Sequence, residues 1–202
     1  MKIQNHYKIG CIIFKKLADN DMTLNKLAFI FGNLAPDLFL SFLYRPHLYT
    51  FAGPYVKKLL LRLYKSGASP ACTVSSFYLG MISHYVCDFF CYTHTPAFKG
   101  NIREHLLYEI RQKVNVQDIL PFYKQKSMNL GHAQLMDTLE HDIAKHEAFF
   151  LRNAKMAYMD IPVAIYKATW ATAAVYLQME KAMLHQDANV AGGKAPASDM
   201  VA

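Results

Sequence analysis

The chain has 202 residues, 53% of them hydrophobic and 18% charged, with a formal net charge of +7. That length can bury one full core, and that composition excludes a disordered chain. The four cysteines, Cys11, Cys72, Cys87 and Cys91, have no Cys-x-x-Cys spacing and suggest no disulfide framework, while the positive balance favours anionic partners such as phosphate esters or an acidic membrane surface.

The start, MKIQNHYKIG, carries no apolar signal segment, so a cytoplasmic protein is expected. Ile9, Ile12, Ile13 and Leu17 then recur at helical spacing. A second helix is predicted from Thr23 to Phe31, closed by a break at Gly32 and Pro36 in the segment GNLAPDL. Leu27–Leu43 is the most apolar stretch, but Gly32, Asn33, Pro36 and Asp37 interrupt it, which disfavours a membrane span. A short helix over Leu38–Tyr44 is expected, closed by Pro46.

Pro54 opens a helix over 55–65 that ends before Ser66-Gly67. The next helix, 71–92, lacks a clean polar face and should be central and buried. Asn101, with Glu104 three residues on, predicts a capped helix over 102–114. A short helix over 117–125 and two long ones over 132–159 and 163–185 complete an all-α, single-domain helical bundle over residues 1–185, with 186–202 as a disordered tail. No segment has strand periodicity and no repeat is visible.

The chemistry is concentrated between His84 and Glu109. His84 and Asp88 are four residues apart, as are His105 and Glu109, and His94 lies between the pairs. Imidazole and carboxylate at (i, i+4) share a helix face, within reach of one metal ion. A carboxylate at Asp88, in the most apolar helix, is costly to bury without a cation. A single such pair reads equally well as a buried salt bridge. Two pairs with an intervening histidine favour zinc, which takes imidazole nitrogen and carboxylate oxygen. His6, Asp37 and His47 are further candidates, each weak alone: an Asp in a Pro turn is more often a cap. Asp137, His141, His146 and Glu147 read as a solvated helix face, as do Lys57, Lys58, Arg62 and Lys65, whose alternative is contact with anionic lipid.

In order, His6, GNLAPD (32–37), His47, His84-x3-Asp88, His94 and His105-x3-Glu109 resemble the zinc-dependent phospholipase C family, which shares one all-helical superfamily with the S1/P1-type nucleases. The resemblance implies up to three zinc ions. Asp37, His47, His84 and Asp88 would hold one; His94, His105 and Glu109 a second; His6, with Asp88 as a bridge, a third. In the family the third ion also takes the amine and carbonyl of an N-terminal Trp. This chain has Met1 instead, whose amine, a water or a backbone carbonyl would substitute. The implied activity is hydrolysis of a phospholipid or related phosphodiester by hydroxide formed from water that zinc acidifies, with Asp37 orienting the nucleophile or taking its proton. Two alternatives stand beside it: a single-strand nuclease, with nucleic acid the less favoured partner, and a non-catalytic, zinc-stabilised protein that binds a phosphorylated ligand.

Overall fold

A computed structural model describes residues 1–39, 47–112, 114, 132–152 and 160–192, with residues 132 and 187–192 as backbone alone. Seven α-helices lie in this part: α1 Ile3–Ala18, α2 Lys26–Leu38, α3 Tyr49–Ser66, α4 Thr73–Phe89, α5 Ile102–Arg111, α6 His132–Arg152 and α7 Asp160–Gly192. A 3-10 turn, Tyr92–His94, joins α4 to the loop before α5. Among the described residues there is no strand, so the fold is all-α as expected. No described helix is long and apolar enough to cross a membrane.

The buried helix is α4. Every residue from Leu79 to Phe89 is buried, and α1, α2, α3 and α7 pack around it. Its carboxylate at Asp88 is therefore placed where solvent cannot reach. Helix α7 meets α4 through small residues, Ala164, Ala168 and Ala171, all fully buried. Helix α1 adds Ile9, Ile13 and Leu17 to the same core.

Several ends follow local chemistry. The Asn25 side chain caps α2 by accepting from the Ala28 amide at 3.0 Å. Asn101 and Glu104 form the expected capping box, with bonds of 2.8 and 3.1 Å. Gly67 closes α3 in the left-handed region, φ 59°.

Other boundaries differ from expectation. Helix α2 runs through Gly32 and Pro36 to Leu38. Gly32 is a contact residue: a Cβ there would lie 2.0 Å from the Phe77 carbonyl oxygen of α4, and one on Gly80 would lie 2.1 Å from the Phe29 carbonyl oxygen of α2. The two helices thus touch backbone to backbone. Pro36 lies in the last turn of α2. Helix α3 starts at Tyr49 and takes Pro54 in its second turn. Helix α4 stops at Phe89, α5 at Arg111, and α7 continues past His185 through part of the expected tail to Gly192. Of the helix expected over Leu38–Tyr44, Leu38 instead ends α2 and residues 40–44 lie outside the described residues, as do the helix expected over 117–125, the stretch 153–159 and the tail from 193.

Replacing Gly32 with Ala should force α2 from α4. The expected loss is about 3 kcal/mol, or roughly 10 °C in Tm. Thermal unfolding followed by circular dichroism checks this; an unchanged Tm would mean the helices are not in backbone contact.

Candidate metal centre

Eight side chains from six places in the chain meet at one end of the bundle. Helix α1 supplies His6, the last turn of α2 supplies Asp37, and His47 stands just before α3. Helix α4 presents His84 and Asp88 from successive turns of one face, the 3-10 turn presents His94, and α5 presents His105 and Glu109 in the same (i, i+4) relation as the pair on α4. The break after Phe89 places His94: the chain tightens over Tyr92–His94 and turns its imidazole back towards Asp88, 3.7 Å away.

Asp88 is the hub. Its Oδ1 lies 3.2 Å from His6 Nε2, and its Oδ2 lies 3.2 Å from His84 Nε2 and 2.8 Å from His47 Nδ1. Asp37 lies at the same focus, with Oδ1 3.7 Å from His84 Nε2 and Oδ2 3.9 Å from His6 Nε2. Beside this cluster, His94 Nε2 and His105 Nε2 lie 3.3 and 2.7 Å from Glu109 Oε1. The rings of His6 and His84 stack with centroids 3.8 Å apart.

Three groups of donors are compact enough for an ion: His6, Asp37 and His84; His47, His84 and Asp88; and His94, His105 and Glu109. The third grouping coincides with the expected set. In the other two, His84 is common to both, and His6 stands with Asp37 as well as with Asp88.

These residues fit a cation by a test independent of their type. His6 Nε2, His84 Nε2 and Asp37 Oδ2 are buried and have no hydrogen-bond partner. A native core rarely leaves such atoms unpaired, because each costs about 1–3 kcal/mol. Tetrahedral zinc with bonds near 2.0–2.1 Å separates its donors by roughly 3.3 Å. The spacings around Asp88, His84 and Asp37 bracket that value, whereas the His47–Asp88 and His105–Glu109 spacings are those of hydrogen bonds.

One ligand atom is pre-set by its partner. His84 Nδ1 donates to the Asn33 carbonyl oxygen at 2.8 Å, which leaves Nε2 as the lone-pair nitrogen facing the carboxylates. Asn33 is in turn tied to α4 by its amide, which donates to Ser83 Oγ at 2.9 Å. The GNLAPD segment thus supplies the close crossing at Gly32, the orienting carbonyl at Asn33 and the carboxylate at Asp37.

Electrostatics agree with this arrangement. Burial pushes His6 down to about 3 and His94 down to about 4, so both imidazoles are neutral at pH 7 and free to donate a lone pair. Burial pulls His47 the same way, but its bond to Asp88 outweighs this and raises it above 6.5. The Met1 amine lies inside the cluster, 3.1 Å from Asp88 Oδ1, 2.9 Å from Glu109 Oε1 and 2.7 Å from His94 Nε2. Burial opposes its charge, yet Asp88 and Glu109 hold it up at about 11. Burial also opposes ionisation of Asp88, but the adjacent ammonium outweighs this and holds the carboxyl well below its usual range. Protons on His47 and Met1 thus neutralise carboxylates that an ion could neutralise instead.

A family profile described as zinc dependent phospholipase C matches residues 5–153, a stretch that includes all eight side chains. The chain belongs to the zinc-dependent phospholipase C family. No curated protein and no solved structure matches it. The family's cofactor is zinc, and the three donor groups are able to hold metal ions.

Behind the cluster, one feature escaped the sequence reading. Asp160, at the start of α7, is fully buried, accepts from the Tyr92 amide at 2.8 Å and receives the Tyr108 hydroxyl. It ties α7 to the two elements that carry His94, His105 and Glu109. Asp160 falls in the break expected between the helices over 132–159 and 163–185, and nothing in the sequence links it to Tyr108. His146, read as solvated, instead meets the Phe90 carbonyl at 2.8 Å and packs on Phe150; Asp137 and His141 are exposed as expected.

Metal uptake should release protons, because a ligating His47 must be neutral. Zinc titrations near pH 6.5 in two buffers of different ionisation heat should give at least about one proton released per chain, and weaker affinity as pH falls. A buffer-independent heat would mean His47 and Met1 keep their protons.

Proposed function

We propose that this protein is a zinc-dependent phosphodiester hydrolase that cleaves phospholipids or related phosphate esters, with His6, Asp37, His47, His84, Asp88, His94, His105 and Glu109 as metal ligands. The single observation that carries this reading is the convergence of buried donor atoms without partners, His6 Nε2, His84 Nε2 and Asp37 Oδ2, around one shared carboxylate. Zinc bound there supplies positive charge for a phosphoryl group and acidifies water to a pKa near ~7.

The chain's own residues set the rest. Asp88 offers one oxygen towards His6 and the other towards His47 and His84, so it can serve two positions at once. Asp37 is the residue proposed to take the proton of the attacking water. Without a metal, burial raises its carboxyl above the ordinary value, with His84 opposing this and the Asp88 charge acting with it. His84, locked by the Asn33 carbonyl, keeps its Nε2 aimed at Asp37 and Asp88 through the reaction. The Met1 amine is proposed to join the His94 and Glu109 side of the centre as a neutral nitrogen donor when the ion is present.

The test is a panel of bis-p-nitrophenyl phosphate, phosphatidylcholine and single-stranded DNA, each with zinc-loaded and chelator-stripped protein. Zinc-dependent cleavage of the first two is expected. Cleavage of DNA alone would assign a nuclease, and no cleavage by fully loaded protein would leave a zinc-stabilised binding protein.

A further inference from the structure

Beside the candidate ligands, three helices expose apolar side chains. On α5, Ile102, Leu106 and Ile110 are 73%, 52% and 54% exposed. They lie at i, i+4 and i+8 and form one stripe. Leu106 and Ile110 each follow a candidate ligand, His105 or Glu109, by one residue, about 100° round the helix. On α1, Tyr7 follows His6 in the same way, and on α2, Leu38 follows Asp37; both are about half exposed. Ile3, Tyr7 and Leu34 also line a cleft of about 360 Å³ between α1 and α2. The C-terminal end of α5 is tied to α1, where the Asn5 amide donates to the Gln112 carbonyl oxygen at 3.3 Å.

Large aliphatic side chains left in water in contiguous stripes mark a surface that meets an apolar partner. The charge around them selects which partner. Lys2 and Lys8 flank Ile3 and Tyr7, and Arg103 lies beside Leu106 and Ile110 on α5, whereas Arg111 lies on the far side of that helix; all four cations are exposed. Glu104, the exposed carboxylate of α5, lies on the opposite side of that helix from Ile102 and Leu106. Aliphatic and tyrosine side chains rimmed by cations fit the boundary between headgroups and acyl chains of an anionic lipid layer.

We infer that the exposed stripes of α1, α2 and α5 form the face by which this protein docks on an anionic lipid surface, placing the candidate metal centre directly over the headgroups. The inference rests on the hydrolase reading for the role of that placement, but the docking can be measured without it. It also differs from the lipid contact that Lys57, Lys58, Arg62 and Lys65 would make. Those residues begin eight positions into α3, roughly 12 Å or more from its start beside His47. A lipid layer against them would not meet the centre.

The experiment is co-sedimentation with vesicles of phosphatidylcholine and phosphatidylserine in equal parts, read within minutes of mixing, alongside turnover of soluble bis-p-nitrophenyl phosphate. Leu106→Asp and Tyr7→Asp should each weaken vesicle binding by about tenfold or more, while turnover of the soluble ester stays at the wild-type rate. Lys57→Glu with Lys58→Glu should change neither. Should an aspartate disturb folding, Leu106→Ser and Ile102→Ser carry the same expectation, with circular dichroism as the check. Wild-type vesicle binding by all the stripe variants would overturn the proposal, as would loss of binding in the Lys57/Lys58 variant alone. A dimer in size exclusion that the stripe variants dissociate, with vesicle binding intact, would also overturn it and assign the face to a second copy of the chain. Stripe-dependent vesicle binding by a zinc-loaded protein that cleaves no phosphodiester would support the docking face and sink the hydrolase reading.

Discussion

Asp88→Asn should cost the protein the zinc held around His6, His47 and His84, leave that at His94, His105 and Glu109, and reduce phosphodiester turnover by at least about a thousandfold. The side chain keeps its shape and loses its charge. Two imidazoles and an ammonium now lie within 3.2 Å of its oxygens, His6, His84 and Met1, and His47 lies closer still. Without the carboxylate, an ion among His6, His47 and His84 loses an oxygen donor. The ammonium also loses one of its two buried counter-charges, Glu109 remaining at 2.9 Å, and a protonated His47 loses its nearest carboxylate. Breaking a buried pair from one side costs about 3–5 kcal/mol, so metal-free protein should unfold at markedly lower denaturant as well. Elemental analysis and initial rates on the same preparation check the claim. Wild-type zinc content with wild-type turnover would remove Asp88 from the centre.

Asp37→Asn should behave differently. Asp37 stands at the outer end of α2 and is partly solvated, whereas Asp88 has no exposure. His84 keeps its link to Asn33, and the group of His94, His105 and Glu109 contains no Asp37. The variant should fold, hold part of its zinc and lose about 10²–10⁴ in turnover, as expected for a removed general base. Zinc content and kcat measured together separate this from simple metal loss. An Asn variant as fast as the wild type would end the proposed role of Asp37.

The parts of the centre legible in sequence are those governed by local geometry. His84-x3-Asp88 and His105-x3-Glu109 lie on single helices, where four residues make about one turn, so their juxtaposition needs no knowledge of the fold. The burial of α4 was legible for a similar reason: it lacks a polar face. The Asn101–Glu104 capping box depends on four consecutive residues, about one turn of backbone, and was equally readable.

What sequence could not supply was contact between distant elements. Gly32 and Pro36 read as a break because glycine and proline break isolated helices. In the fold, Gly32 is where the backbones of α2 and α4 meet, a requirement set by Phe77 and Gly80, more than forty positions along the chain. The same crossing brings the Asn33 carbonyl to His84. Tyr108 and Asp160 are separated by a long stretch with no shared motif, and their bond exists only once α7 packs against the end of α4. The resemblance narrowed the search to eight residues, yet it could not say that His84 would be common to two donor groups.

The most direct test of the central claim is zinc per chain, measured on purified protein after chelator stripping and reloading. Donors in three groups predict between two and three equivalents, falling to about one when Asp88 is replaced. Reloaded wild-type protein that retains no zinc, while remaining folded with its histidines paired to its carboxylates, would contradict the account at its base.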